Sequence, residues 1–99
     1  MAGVLDSKAV RDALNGLPGW SGDTDGIERT AELPDFPTAI RVVDDVAIAA
    51  EQADHHPDID VRWRSLTFRC STHSEGGVTG KDIALAERIS QIVAEHSKA

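Results

Sequence analysis

The segment from Trp63 to His73, WRSLTFRCSTH, decides the fold. Leu66, Phe68, Cys70 and Thr72 fall on one parity, and Trp63, Ser65, Thr67, Arg69, Ser71 and His73 on the other. Side chains of a strand point alternately to its two faces, so the first set predicts a core face and the second an open one. Trp63 and His73 then share the face away from the core, where a flat ligand has room to lie. Trp63 would serve equally well to cover an oligomer interface.

Working outward, Ser74 to Gly77 reads as a turn, and Thr79 with Asp82 three residues on resembles a capping box, with Asp in place of the usual Glu or Gln. Ile83, Leu85, Ala86, Ile89, Ile92 and Val93 supply the buried stripe of a last helix. Upstream, Asp35 and Pro37 mark the start of a long helix, because an acidic cap accepts backbone N–H groups and proline is tolerated in the first turn. Its stripe is Ala39, Val42, Val43, Val46, Ala47, Ala49, Ala50 and Ala53, small residues suited to close packing on a sheet. Pro57 disfavours helical backbone at His56, so the helix should finish near Asp54 or His55.

Nearer the start, Ile27, Ala31 and Leu33 alternate as a half-buried strand, and the polar run from Ser21 to Gly26 reads as a loop or hairpin tip. Trp20 is expected to anchor packing rather than bind a ligand. Ser7 is the expected cap of a short helix over residues 7–15, which Gly16, Pro18 and Gly19 end. These elements predict an α+β architecture with helices on one face of an antiparallel sheet.

The 99 residues predict a single domain over residues 1–99, able to bury roughly two thirds of its unfolded surface. A net charge of -7 would repel nucleic-acid phosphates and anionic lipid head groups, so neither is an expected partner. No window approaches the ~20 apolar residues of a membrane span, and the lone Cys70 forms no internal disulfide. Nothing here demands an oxidising compartment, and a cytoplasmic location is the expectation.

The chemistry concentrates between Glu51 and Asp82, which hold three of the four histidines. Imidazoles at His55, His56 and His73 exchange protons near neutral pH, with Glu51, Asp54 and Asp82 as acidic neighbours. Glu51 and His55 stand four apart on the long helix and are expected to pair, a contact that supports a helix even without function. Asp82 either caps the last helix alone or caps it and also orients a histidine or ligand. A three-histidine metal site is disfavoured, since adjacent histidines seldom both reach one ion and no H-E-x-x-H or cysteine-based spacing is present. Arg62 and Arg64 read as solvated strand residues, and His96 as an uninvolved residue of the tail.

The spacing Glu51-x-x-x-His55-His56-Pro57, five residues to Trp63, nine to His73 and eight to Asp82, resembles the signature of the pterin-4a-carbinolamine dehydratase family. The likeness extends to LPGW at 17–20, IERT at 27–30 and THSEGGVTGKDIALAERI at 72–89. It departs from the family where Ala31 and Val42 stand at positions commonly Phe. The resemblance implies a four-stranded antiparallel sheet backed by three helices, with an extra strand near Trp20, and assembly as a homodimer or homotetramer. It implies a lyase that dehydrates 4a-hydroxytetrahydropterin, the by-product of aromatic amino acid hydroxylases, to quinonoid dihydropterin in tetrahydrobiopterin-type recycling, with no metal or cofactor. His55, His56 and His73 match the catalytic positions. His56 and His73 would be the proton-transfer pair, with His55 held by Glu51 and contacting the ligand. Trp63 would border the pterin, Asp54 and Pro57 would bind the substrate or support the site, and Asp82 would support His73 or the helix start. The rival implication is a dehydratase-like protein that keeps the fold and serves as a binding or assembly partner of another protein.

Overall fold

In the computed structural model, which describes residues 3–97, the chain runs α1 (Ser7–Asn15), β1 (Ser21–Asp23), β2 (Gly26–Glu32), α2 (Phe36–Ala53), β3 (Asp58–Arg62), β4 (Ser65–Cys70), a 3-10 turn (His73–Glu75) and α3 (Gly80–Ser97). The strands form one antiparallel sheet in the order β1-β2-β4-β3. Leu66, Phe68 and Cys70 of β4 and Ile27 and Ala31 of β2 point into one core, which they share with residues from all three helices. Full burial of a side chain such as Leu66 or Phe68 contributes roughly 1.5–3 kcal/mol. The other face is polar and laced across the β2–β4 register by Glu28 with Arg69 (3.2 Å) and Thr30 with Thr67 (2.8 Å). Helices on one face and water on the other explain the strict alternation of β4.

The expected strand from Trp63 to His73 is shorter at both ends. Arg62 pairs with Ser65, so Trp63 and Arg64 form the two-residue turn of a β3–β4 hairpin, with Trp63 at φ 58. A two-residue hairpin turn takes left-handed backbone to match the twist of its strands. Beyond Cys70 the chain leaves the sheet, and His73 opens the 3-10 turn. Trp63 and His73 therefore share no strand face. They lie at opposite ends of β4, and Trp63 is 74% exposed.

β1 lies inside the segment read as a loop, because all three of its residues are exposed and leave no apolar alternation to read. Trp20, just before it, is buried and donates from Nε1 to Ser90 Oγ (2.8 Å), which fixes the sheet edge to α3. The cap of α1 is Asp6 rather than Ser7, its carboxylate accepting the Ala9 N–H at 2.8 Å. Asp35 caps α2 as expected through the Thr38 N–H (2.8 Å), and its carboxyl is held below the usual carboxylate range by its hydrogen bonds with Thr38. The buried stripe of α2 is narrower than predicted: Ala47 and Ala53 face outward. His96, expected to be idle, joins Asp45 at 2.7 Å and ties the end of α3 to the middle of α2.

Candidate active site

The site begins with the way α2 stops. Asp54 adopts left-handed backbone (φ 50, ψ 42) at the C-cap, a conformation that Asp and Asn tolerate better than most side chains, and its N–H returns to Ala50 and Glu51 carbonyls. The His55 N–H donates to Ala50 O (3.1 Å), and Pro57 prevents any resumption of the helix. This reversal splits the two adjacent histidines. His55 turns inward, its side chain 11% exposed, while His56 turns outward at 59%.

Each imidazole meets a different carboxylate. His55 Nε2 lies 2.5 Å from Asp82 Oδ1, and His56 Nε2 hydrogen-bonds to Glu51 Oε2. The expected Glu51–His55 pair is therefore replaced by Glu51–His56. The helical spacing that would join residues 51 and 55 ends at Ala53, and the left-handed cap carries His55 round to α3.

Asp82 has no exposed surface, and every donor around it is accounted for. Its Oδ2 accepts the Thr72 hydroxyl (2.7 Å) and the Thr79 backbone N–H (2.9 Å), the latter being the capping bond expected from sequence. Because Thr72 spends its proton on Asp82, the Thr79 hydroxyl donates to Thr72 Oγ1 (2.8 Å). Thr79 Oγ1 in turn accepts the Lys81 N–H at 3.3 Å. An ionised carboxylate only accepts, so His55 Nε2 carries the proton directed at Oδ1, and Nδ1 is the free nitrogen of that ring. Asp82 thus caps α3 and orients a histidine at once.

Thr72 is the link that sequence reading missed; its parity marked it as core, and it is buried. It also bridges Gly77, donating its N–H to Gly77 O (3.0 Å), which closes the loop bearing His73. A Cβ at Gly77 would stand 2.5 Å from Thr24 O, so only glycine allows this loop to rest on the β1–β2 turn. His73 is therefore one residue from a direct partner of Asp82, and its exposed ring makes no hydrogen bond among the described residues.

Of the other predicted site residues, Asp54 acts as the exposed helix cap, and half-buried Pro57 lies in the link from α2 to β3. Trp63 is at the far end of the β3–β4 hairpin from the histidines, five residues of extended strand away, or roughly 16 Å. Cys70, buried near Asp82, has its thiol pushed up to about 12 by burial first and then by the charges of Asp82 and Asp58. It behaves as a core residue, not a nucleophile. No group of three or more His, Cys, Asp and Glu residues among the described residues is arranged to hold a metal ion, and no described helix is long and apolar enough to cross a membrane.

A four-stranded antiparallel sheet backed by three helices, with two carboxylate-held imidazoles where α2 ends, defines a small α+β protein. The chain belongs to the pterin 4 alpha carbinolamine dehydratase family, whose model matches residues 3–92. It is 52% identical over 89 residues to a Nocardia farcinica protein provisionally named a pterin-4-alpha-carbinolamine dehydratase, covering 90% of this chain and 94% of that one. A protein of the same provisional name from Roseiflexus castenholzii is 47% identical and matches 94% of this chain and all of its own length. Among solved structures, a transcriptional coactivator/pterin dehydratase from Brucella melitensis superposes with a TM-score of 0.87 at 33% identity, over 90% of this chain and 97% of that one. A pterin dehydratase-like protein described as a RuBisCO assembly factor in the alpha-carboxysome shares the fold, with a TM-score of 0.62 at 15% identity over 75% of this chain and 86% of that one.

Proposed function

We propose that the protein is a lyase that removes water from a 4a-hydroxytetrahydropterin to give the quinonoid dihydropterin, using its histidines as general acid and base. The observation that carries this reading is the buried Asp82–His55 pair, braced by Thr72 and Thr79, in a chain of the dehydratase family. A carboxylate behind an imidazole fixes its tautomer and stabilises the imidazolium that forms when the ring takes a proton. In this scheme His55 Nδ1 accepts the proton from pterin N5 as the C4a–O bond breaks. The departing hydroxyl leaves as water with a proton from His56 or His73, whose rings are open to solvent. One proton is taken up and one delivered, so the enzyme returns to its starting charge and needs no cofactor. Glu51 holds His56 for this exchange, and a hydroxylase supplying the carbinolamine is the fitting partner.

The test is the dehydration rate of a 4a-hydroxytetrahydropterin generated in situ by an aromatic amino acid hydroxylase. Wild type should accelerate the reaction, with His55→Ala losing most of that acceleration and His56→Ala and His73→Ala losing part of it. General acid–base groups contribute typically ~10²–10⁴-fold, which sets the expected scale. Wild-type rates in all three variants would overturn the assignment. A folded wild type with no acceleration would favour a binding or assembly role, a reading supported by the coactivator designation of the Brucella melitensis relative.

A further inference from the structure

A cavity of about 200 Å³ lies between the C-terminal half of α2 and the first turns of α3. Its apolar wall is made by Ala49 and Ala53 from α2 and Ala84 and Leu85 from α3, and the His55 ring borders it. The space exists because three of those wall positions carry only a methyl group. It is open to solvent along the exposed Ala53 and Ala84, and its volume exceeds the ~150 Å³ that admits a benzene ring in an enclosed apolar cavity. His56 and His73 do not line it.

The rim is cationic. Lys81 and Arg88 also line the cavity, seven residues apart on one face of α3, or roughly 10 Å along the axis. In a chain of net charge -7 carboxylates are plentiful, and Arg62, Arg64 and Arg69 each take one. Lys81 and Arg88 pair with none among the described residues; Arg88 makes only a 3.4 Å hydrogen bond to Gln91. An apolar chamber with a few convergent polar groups is the usual form of a small-molecule site, and two unpaired cations at its mouth select an anionic group.

We propose that this cavity binds a small molecule with a flat apolar body and one anionic substituent, a carboxylate or a phosphate, with the body against the alanines and the anion between Lys81 and Arg88. The proposal goes beyond the dehydratase reading and stands whether or not water is eliminated at the histidines. Contact with the His55 ring makes the occupant a neighbour of the Asp82 network.

Phenyl phosphate and benzoate serve as probes, titrated into the full chain while backbone amide and His55 ring resonances are followed by NMR, with inorganic phosphate and benzyl alcohol as controls. Saturable shifts should centre on residues 49–55 and 81–88, with both controls binding at least several-fold more weakly. The exposed double variant Lys81→Gln/Arg88→Gln should weaken phenyl phosphate by roughly tenfold or more, the scale of losing charge-assisted hydrogen bonds. Ala84→Leu, which fills the chamber from an exposed helix position, should weaken phenyl phosphate and benzoate alike. Absence of saturable binding at millimolar concentrations, shifts elsewhere on the surface, or affinities unchanged in both variants would overturn the proposal. Inorganic phosphate binding as tightly as phenyl phosphate would overturn it too, because the apolar chamber would then contribute nothing.

Discussion

His55 and His56 are adjacent in sequence, and each is joined through Nε2 to one carboxylate, yet the two pairs differ in nearly every other respect. The Asp82 side chain is wholly buried and held by two threonines, whereas the Glu51 side chain is 76% exposed and its carboxylate has no partner but His56 among the described residues. Surrounded by water, an ion pair gains little, because solvent screens the attraction and two side chains lose freedom. In the interior a hydrogen-bonded imidazole and carboxylate are held by the cost of leaving either member unsatisfied. The buried pair is therefore a fixed point of the structure and the exposed pair an adjustable one. A proton-transfer site has use for both, one imidazole in a set orientation and another in ready exchange with solvent.

The largest effect should come from breaking the buried pair. Asp82→Ala strands the His55 Nε2–H, the Thr72 hydroxyl and the Thr79 N–H together and should cost about 3–5 kcal/mol, measurable by urea denaturation. Asp82→Asn keeps the shape and can still accept from Thr79, so it should cost clearly less. It should nevertheless alter the His55 tautomer, read from the ring nitrogen shifts. If Asp82→Ala unfolds at the wild-type midpoint, the buried network does not have the role assigned to it.

Thr72→Val sharpens the contrast at intermediate size. The methyl replaces a hydroxyl that both donates to Asp82 and accepts from Thr79, so about 1–3 kcal/mol should be lost, with Thr72→Ser recovering most of it. Under the proposed function the valine variant should also change the pH dependence of kcat, since His55 would be less firmly oriented. A profile identical to wild type would mean that Thr72 supports the fold alone.

The fold was largely legible because its signals are periodic. Leu66, Phe68 and Cys70 alternate without a break, and Asp35 with Pro37 opens α2 where expected. The candidate site was legible as a list of titratable residues but not as a set of partners, and Trp63, expected beside the histidines, lies at the other end of β4. The structure joins His55 to Asp82 and His56 to Glu51 at the end of α2, whereas the pairing predicted from helical spacing joined the wrong histidine to Glu51. One left-handed residue, Asp54, redirects the chain, and backbone handedness at a single Asp leaves no periodic trace. The same reason hides the Trp63 turn, where a residue ordinarily found in strands takes positive φ at what reads as the first position of the strand. Thr72 went unread because parity gives burial but cannot say which buried hydroxyl meets a carboxylate ten residues away.

The smallest effect on stability should come from the exposed pair, and that makes it the sharpest test of the contrast. Glu51→Gln removes one charge from a surface pair, where measured pairs contribute about 0.2–1 kcal/mol, so its urea midpoint should stay close to wild type. Raising the salt concentration should erase even that difference, since the pair lies within reach of mobile ions. Its catalytic effect should be out of proportion to its stability effect. With the glutamine in place, His56 loses the carboxylate that holds its ring, and turnover of the carbinolamine should fall while kcat remains measurable. Stability lost on the scale of Asp82→Ala would show that the exposed pair is structural after all. Equal turnover in Glu51→Gln and wild type would leave His73 as the better candidate for returning the proton to the departing hydroxyl.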